Sequence, residues 1–159
     1  MTSRVTVRVR VVVLVAGALL IVACGGGGRL DHRGYTRAVG RICRRANVQL
    51  SKVELRRLDG PEAAAAVDDL VRIGRDALGD LRATKPPKAD VAKVDEWLGA
   101  LDQVLDEGEY ASKMVRSDEP LAAFQAAARA SILADRAHTL GNSFGVPDAC
   151  RVPSLVQRD

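Results

Sequence analysis

An enzyme's centre needs a nucleophile, a tuned acid–base pair or a metal. This chain of 159 residues offers few side chains for any of them. His32 and His138 are its only histidines. His138 follows Asp135 by three residues and Ser131 by seven, so a helix would bring all three towards one side. A hydrolytic centre needs the nucleophile, the base and an orienting acid within hydrogen-bond reach. A local polar pair of His138 with Asp135 is the simpler reading, and His32 is expected in solvent. No catalytic residue is assigned, and the chain is read as a non-enzyme.

Metal chemistry is equally poorly supplied. A structural zinc site takes four clustered Cys, His or carboxylate ligands. The di-iron pattern of helical bundles needs Glu-x-x-His on two helices, and no copy is present. Asp102, Asp106, Glu107 and Glu109 form an acidic run, most of which is expected to face water. No cofactor and no metal ligand is assigned. One cationic cluster stands out: Arg37, Arg41, Arg44 and Arg45. It is a candidate contact for anionic headgroups or envelope polymers. A plain solvated helix face is the simpler reading.

The elements that hold these groups are helical throughout. Asp31 can cap the free amides at a helix start. Tyr35, Val39, Ile42, Cys43, Ala46, Leu50 and Val53 then recur at steps of three and four, which predicts a helix continuing to Leu58. Gly34 and Gly40 lie near that stripe and could admit a close neighbour. Pro61 and Glu62 open a second helix, which ends near Ala83 before Pro86-Pro87. A third starts at Ala89 or Asp90 and runs to about Arg116, with Val91, Val94, Leu98, Leu101, Leu105 and Met114 inward, widened by Trp97 and Val104. A fourth starts at Pro120 and carries Leu121, Phe124, Ala128, Ile132, Asp135 and Thr139 along one side. No alternating segment predicts a strand. The fold class expected is all-α, an antiparallel up-down-up-down four-helix bundle over residues 31–150, followed by a tail over 151–159.

Ahead of the bundle the pattern changes. Arg4, Arg8 and Arg10 precede twelve apolar residues, 11–22, and Ile21-Val22-Ala23-Cys24 closes the run. The apolar stretch is shorter than the ~20 residues that cross a bilayer as a helix. Its proportions are those of a processed targeting segment. The segment resembles a bacterial lipoprotein signal peptide ending in a lipobox. The resemblance implies transfer of a diacylglyceryl group, carrying fatty acids such as palmitate, to the Cys24 thiol and cleavage after residue 23. It would place the protein on the extracytoplasmic face of the cell membrane. The tether would be residues 24–30, where Gly25-Gly26-Gly27-Gly28 lack side chains to pack.

Without the leader the charge argument changes. The precursor carries a formal +4, but three arginines belong to residues 1–23, leaving 21 basic against 20 acidic side chains. Near-neutrality gives no reason to expect a nucleic-acid partner. The implied export also bears on Cys43 and Cys150. In an oxidising compartment an even pair reads as a disulfide, and the expected bundle returns the end of its fourth helix to the start of its first. Two buried free thiols are the alternative.

The domain also resembles small uncharacterised actinobacterial lipoproteins. The likeness rests on Cys43 within Tyr35-Thr-Arg-Ala-Val-Gly-Arg-Ile-Cys-Arg-Arg-Ala-Asn47 and on the closing Gly145-Val146-Pro147-Asp148-Ala149-Cys150. Those proteins commonly close with one residue fewer before the cysteine. The resemblance implies the disulfide rather than an activity. The function expected is a structural or protein-interaction role at the membrane, with membrane lipid and an envelope protein or anionic envelope polymer as partners. A small-ligand binder using an interhelical cavity is the alternative.

Overall fold

In the computed structural model, which describes residues 28–54 and 60–151, Asp31 starts the first helix as its sequence position suggests. Its carboxylate accepts a hydrogen bond from the Gly34 amide at 2.7 Å, satisfying one of the free donors of the first turn. The described residues form an all-α, four-helix arrangement without a strand. The helices are α1 (His32–Leu50), α2 (Gly60–Ala83), α3 (Val91–Arg116) and α4 (Pro120–Asn142). Short 3₁₀ turns at Lys88–Asp90 and Asp148–Cys150 precede α3 and follow α4.

The first helix is shorter than its periodicity predicted. It ends at Leu50, with the Ser51 amide bonded back to the Asn47 carbonyl and Val53 turning on Leu50. Thus Val53 lies beyond the helix, and the expected end at Leu58 lies outside the described residues. Apolar spacing marks a face and not a terminus, which is why the stripe overran the helix.

The helices pack in chain order, α1 on α2, α2 on α3, and α3 on α4. Cross-contacts between α2 and α3 run in opposite directions, from Asp68 with Arg116 to Arg82 with Asp102. One core joins the layers. It contains Tyr35, Val39 and Cys43 of α1, Leu78 and Leu81 of α2, Val94, Trp97 and Leu98 of α3, and Ala137 of α4. Phe144 and Val146 complete it from the segment after α4. Trp97 meets the Phe144 ring edge-on at 5.6 Å between centroids.

The fourth helix is rotated from expectation. Its buried face is Ala123, Ala126, Ala130, Ala137 and Gly141, while Leu121, Phe124 and Ile132 stand 70%, 66% and 70% exposed. The physical reason is the width of its neighbour's side chains. Trp97 fills the space opposite Gly141, where an added Cβ would come within 3.2 Å of the indole nitrogen. Small residues let α4 approach α3, and the larger apolar ones are left outside.

Gly74 has the same role between α2 and α3. A Cβ there would fall 2.4 Å from a Leu105 methyl. No helix among the described residues is long and apolar enough to cross a membrane.

Candidate functional site

The most specific arrangement lies where the chain leaves α4. The Val146 amide bonds the Gly141 carbonyl at 3.0 Å, and Gly145 takes φ of 80°. A left-handed residue with this long backward bond is how helices commonly stop and reverse. Glycine tolerates that backbone without a Cβ clash. Pro147 then drops onto α1 at Gly40, where a Cβ would sit 3.1 Å from the proline ring. The close approach anticipated at Gly40 is therefore made by Pro147. Gly34 instead faces its own capping carboxylate.

The turn ends in a disulfide between Cys43 and Cys150, with 4.9 Å between their Cα atoms. Asn47, one turn along α1, donates from its side chain to the Ala149 carbonyl at 2.8 Å. Of the two readings left open by the sequence, the bridge is the one present. Cys24 lies outside the described residues, as do the signal segment and most of the tether.

The arginines of α1 stand directly across the helix from the core. Buried Tyr35, Val39 and Cys43 define one side, and Arg33, Arg37, Arg41, Arg44 and Arg45 are all exposed. With 3.6 residues per turn, Arg33, Arg37, Arg41 and Arg44 fall within about 80° of arc. The helix contains no acidic residue. Arg45 reaches Asp80 of α2 at 3.6 Å. Among the described residues, the other four meet no carboxylate. Sequence inspection found Arg37, Arg41, Arg44 and Arg45 but not Arg33, which sits one turn before Arg37.

In the acidic run of α3, Asp106 and Glu109 are exposed as expected, while Asp102 and Glu107 are half-buried. Arg75 of α2 contacts Asp102, Asp106 and Glu109. Arg82 adds a second bond to Asp102 at 2.8 Å, which with Arg75 holds that carboxyl below its ordinary range. The Asp106 carboxylate in turn raises the Arg75 guanidinium. Glu107 turns the other way, to Arg129 of α4 at 2.9 Å. These carboxylates join helices, and no cluster among the described residues suits a metal ion.

A polar group that sequence reading missed is Ser112. It is fully buried and donates to Asp68 of α2 at 2.5 Å, with the Ala64 carbonyl at 3.1 Å. Asp68 also meets Arg116. The Ser112 bond first, and Arg116 second, hold the Asp68 carboxyl below its ordinary range. Apolar periodicity passes over a serine on a buried stripe, so no pattern signal was available.

Each histidine has one polar side-chain partner among the described residues. His32 is not merely solvated, since its Nδ1 lies 2.9 Å from Asp90 just before α3. His138 pairs with Asn142 at 3.1 Å and not with Asp135. A stepping distance of four competes with three on a helix, and the amide wins here. Asp135 instead uses its backbone carbonyl to receive the Thr139 hydroxyl.

The groove between the end of α1 and α2 has a volume of about 620 Å³. Lys52, Glu54, Asp69, Arg72 and Asp76 line it together with Val53 and Ile73, and it is open to solvent. Compared with family models, curated proteins and solved structures, the chain has no significant match in any of the three.

Proposed function

We propose that this chain is a lipid-anchored extracytoplasmic protein whose helical domain serves as an interaction module of the cell envelope. In this reading residues 1–23 are a signal peptide and Cys24 carries the lipid. Residues 24–30 tether an up-down-up-down bundle to the outer face of the cell membrane. The observation that carries the reading is the bridge between Cys43 and Cys150. Structural disulfides persist in oxidising compartments and are rare in reducing ones. A pair bridged within the fold leaves Cys24 as the one cysteine not committed to it. That agrees with the lipobox.

The role as an interaction module draws on the outer face of α4. Leu121, Phe124 and Ile132 lie along about three turns of that helix, on the side away from α3. Exposed apolar side chains grouped on one face mark contact surfaces more often than catalytic ones. The competing small-ligand reading would need an enclosed apolar pocket with a few convergent polar groups. The open, charge-lined groove by α1 and α2 gives it weaker support.

Intact mass of the protein isolated from its own membranes tests the anchor. A mature chain beginning at Cys24 with added diacylglyceryl mass is expected, and Cys24→Ser should abolish both. A start elsewhere without acyl mass overturns the anchor. A photoreactive amino acid at Phe124, compared with one at exposed Arg72, tests the module in cells. A discrete adduct specific to position 124 is expected. Equal labelling at both positions overturns the interaction role.

A further inference from the structure

We propose that the arginine face of α1 docks the domain onto anionic phospholipid headgroups of the membrane that anchors it. The inference rests on the lipid-anchor reading and adds the surface by which the domain meets the bilayer.

Three observations point to this occupant. The first is the one-sidedness of α1. Arg33, Arg37, Arg41 and Arg44 share a narrow exposed arc, and the helix carries no carboxylate of its own. Elsewhere in the fold arginines are used differently. Arg75, Arg82, Arg116, Arg129 and Arg136 each reach an acidic residue of a neighbouring helix. Four guanidiniums without such partners, side by side, repel one another and are left for an external anion.

The second is the position of α1 in the packing. It packs chiefly on α2 and the clasp turn at Asp148–Cys150, and its opposite side, Arg33, Arg37, Arg41, Arg44 and Val48, is exposed among the described residues. The row from Arg33 to Arg44 extends about 17 Å along the helix axis. That matches a row of headgroups better than a single phosphate.

The third is proximity along the chain. Arg33 lies nine positions after Cys24 in sequence, a reach of at most about 32 Å when extended. An anchored Cys24 therefore keeps the arginine row near the surface, and the final approach falls within the ~8 Å Debye length at physiological salt. Each basic residue close to an anionic leaflet strengthens binding about fivefold. Exposed Val48 lies in the same arc and can enter the headgroup layer without burying a charge.

Headgroup contact and anchoring separate in one experiment. The protein is purified from its membranes, its acyl mass is recorded, and it is reconstituted into two kinds of vesicle. One contains phosphatidylcholine alone, and the other also contains phosphatidylglycerol. Phenylglyoxal labelling, read by peptide mass, reports the accessibility of each arginine. Time-resolved anisotropy of Trp97, the single tryptophan and buried in the core, reports rotation of the whole domain.

Phosphatidylglycerol should slow labelling of Arg33, Arg37, Arg41 and Arg44 by about tenfold, restrict Trp97 rotation, and leave Arg72 unchanged. High salt should reverse both effects. The variant Arg33→Gln/Arg37→Gln/Arg41→Gln/Arg44→Gln should stay in the vesicles by its anchor yet rotate as freely on either lipid. Its circular dichroism should match the parent, because all four side chains are exposed. Equal labelling on both vesicles overturns the proposal. So does protection by a soluble anionic wall polymer without protection by phosphatidylglycerol. If the mass shows no acyl group, the same labelling on protein added to the vesicles still decides the arginine face, while the anchor reading alone fails.

Discussion

Reducing the Cys43–Cys150 bridge should remove a large part of the domain's stability. The bridge spans 107 positions. In the chain-entropy description, a closed loop of that length stabilises the fold by about 4.8 kcal/mol at 25 °C. Domains of this size are commonly stable by about 5–15 kcal/mol in all, so the bridge decides whether the fold is robust or marginal. The value is an upper bound. Once reduced, the segment beyond Val146 can fray, and that freedom lowers the free energy of the native state. Phe144 and Val146 remain buried against the core and limit the fraying. The bond from Asn47 to Ala149 adds about 1 kcal/mol of resistance. A loss of about 3–5 kcal/mol is therefore expected.

Trp97 is the reporter for this experiment, since it lies in the core against Phe144, just before the clasp. Urea unfolding followed by its fluorescence should be run with and without reductant, and on Cys43→Ser/Cys150→Ser. The double variant should match the reduced protein and ignore reductant. The slope against urea should rise on reduction, because an uncrosslinked denatured chain exposes more surface. A loss below about 1 kcal/mol with an unchanged slope would refute the argument that this bridge constrains the unfolded chain.

Three further perturbations test the interior. Tyr35 is 0% exposed and its hydroxyl has no hydrogen-bond partner among the described residues. Burial first, and the nearby Asp95 and Asp90 charges second, push its pKa up from 10.0 to about 12. Its contribution is thus fully present below pH 10.0 and lost as pH rises towards about 12; the two-unit shift corresponds to about 2–3 kcal/mol. Tyr35→Phe should be at least as stable at neutral pH, and should lack this alkaline component in urea unfolding. Asp68 has a lowered pKa, so its contribution is present above the ordinary value of 3.8 and lost as pH falls below it. Asp68→Asn should flatten that acid limb in circular dichroism. Finally, a Cβ at Gly99 meets nothing within 4 Å, whereas one at Gly108 meets a Val71 methyl at 2.8 Å. Gly99→Ala should stabilise by about 1 kcal/mol through helix propensity. Gly108→Ala should destabilise by about 1–2 kcal/mol, because β-branched Val71 cannot swing aside. Thermal melts of the pair would show the opposite signs, and equal shifts would contradict the packing of α2 on α3.

Helix identity was legible in the sequence because Asp31, Pro61, Pro86-Pro87 and Pro120 punctuate it, and apolar residues recur between them. The face of α1 was legible for the same reason: large apolar residues line one side and arginines the other. On α4 the rule failed. Alanine is apolar yet small, so it ranks below Leu121 and Phe124 in any hydrophobic stripe while fitting better against Trp97. The winning term was closeness of approach, a property of two helices at once that one helix's pattern cannot carry. Partner choice by charge was equally hidden. Glu107 and Glu109 are two positions apart, yet one bonds α4 and the other α2. The clasp was the long-range feature that the sequence did expose, because a cysteine pair carries its constraint in residue type.

The packing order explains why the clasp is needed where it is. Each of α2 and α3 has a helix on two sides, whereas α1 packs chiefly on α2 and α4 chiefly on α3. An array built this way leaves its first and last helices with no extensive seam of their own. The segment from Phe144 to Cys150 supplies that seam: it carries two buried apolar side chains from the end of α4 and closes covalently on Cys43. Because a short turn rather than a whole helix face joins them, the outer sides of both terminal helices are covered by no other described element. One is arginine-rich and the other apolar. Under the proposed anchoring, the arginine side of α1 meets the lipid and the apolar side of α4 remains for a protein partner. Under that proposal, the economy of contact that makes the disulfide matter for stability also leaves these two surfaces available for binding.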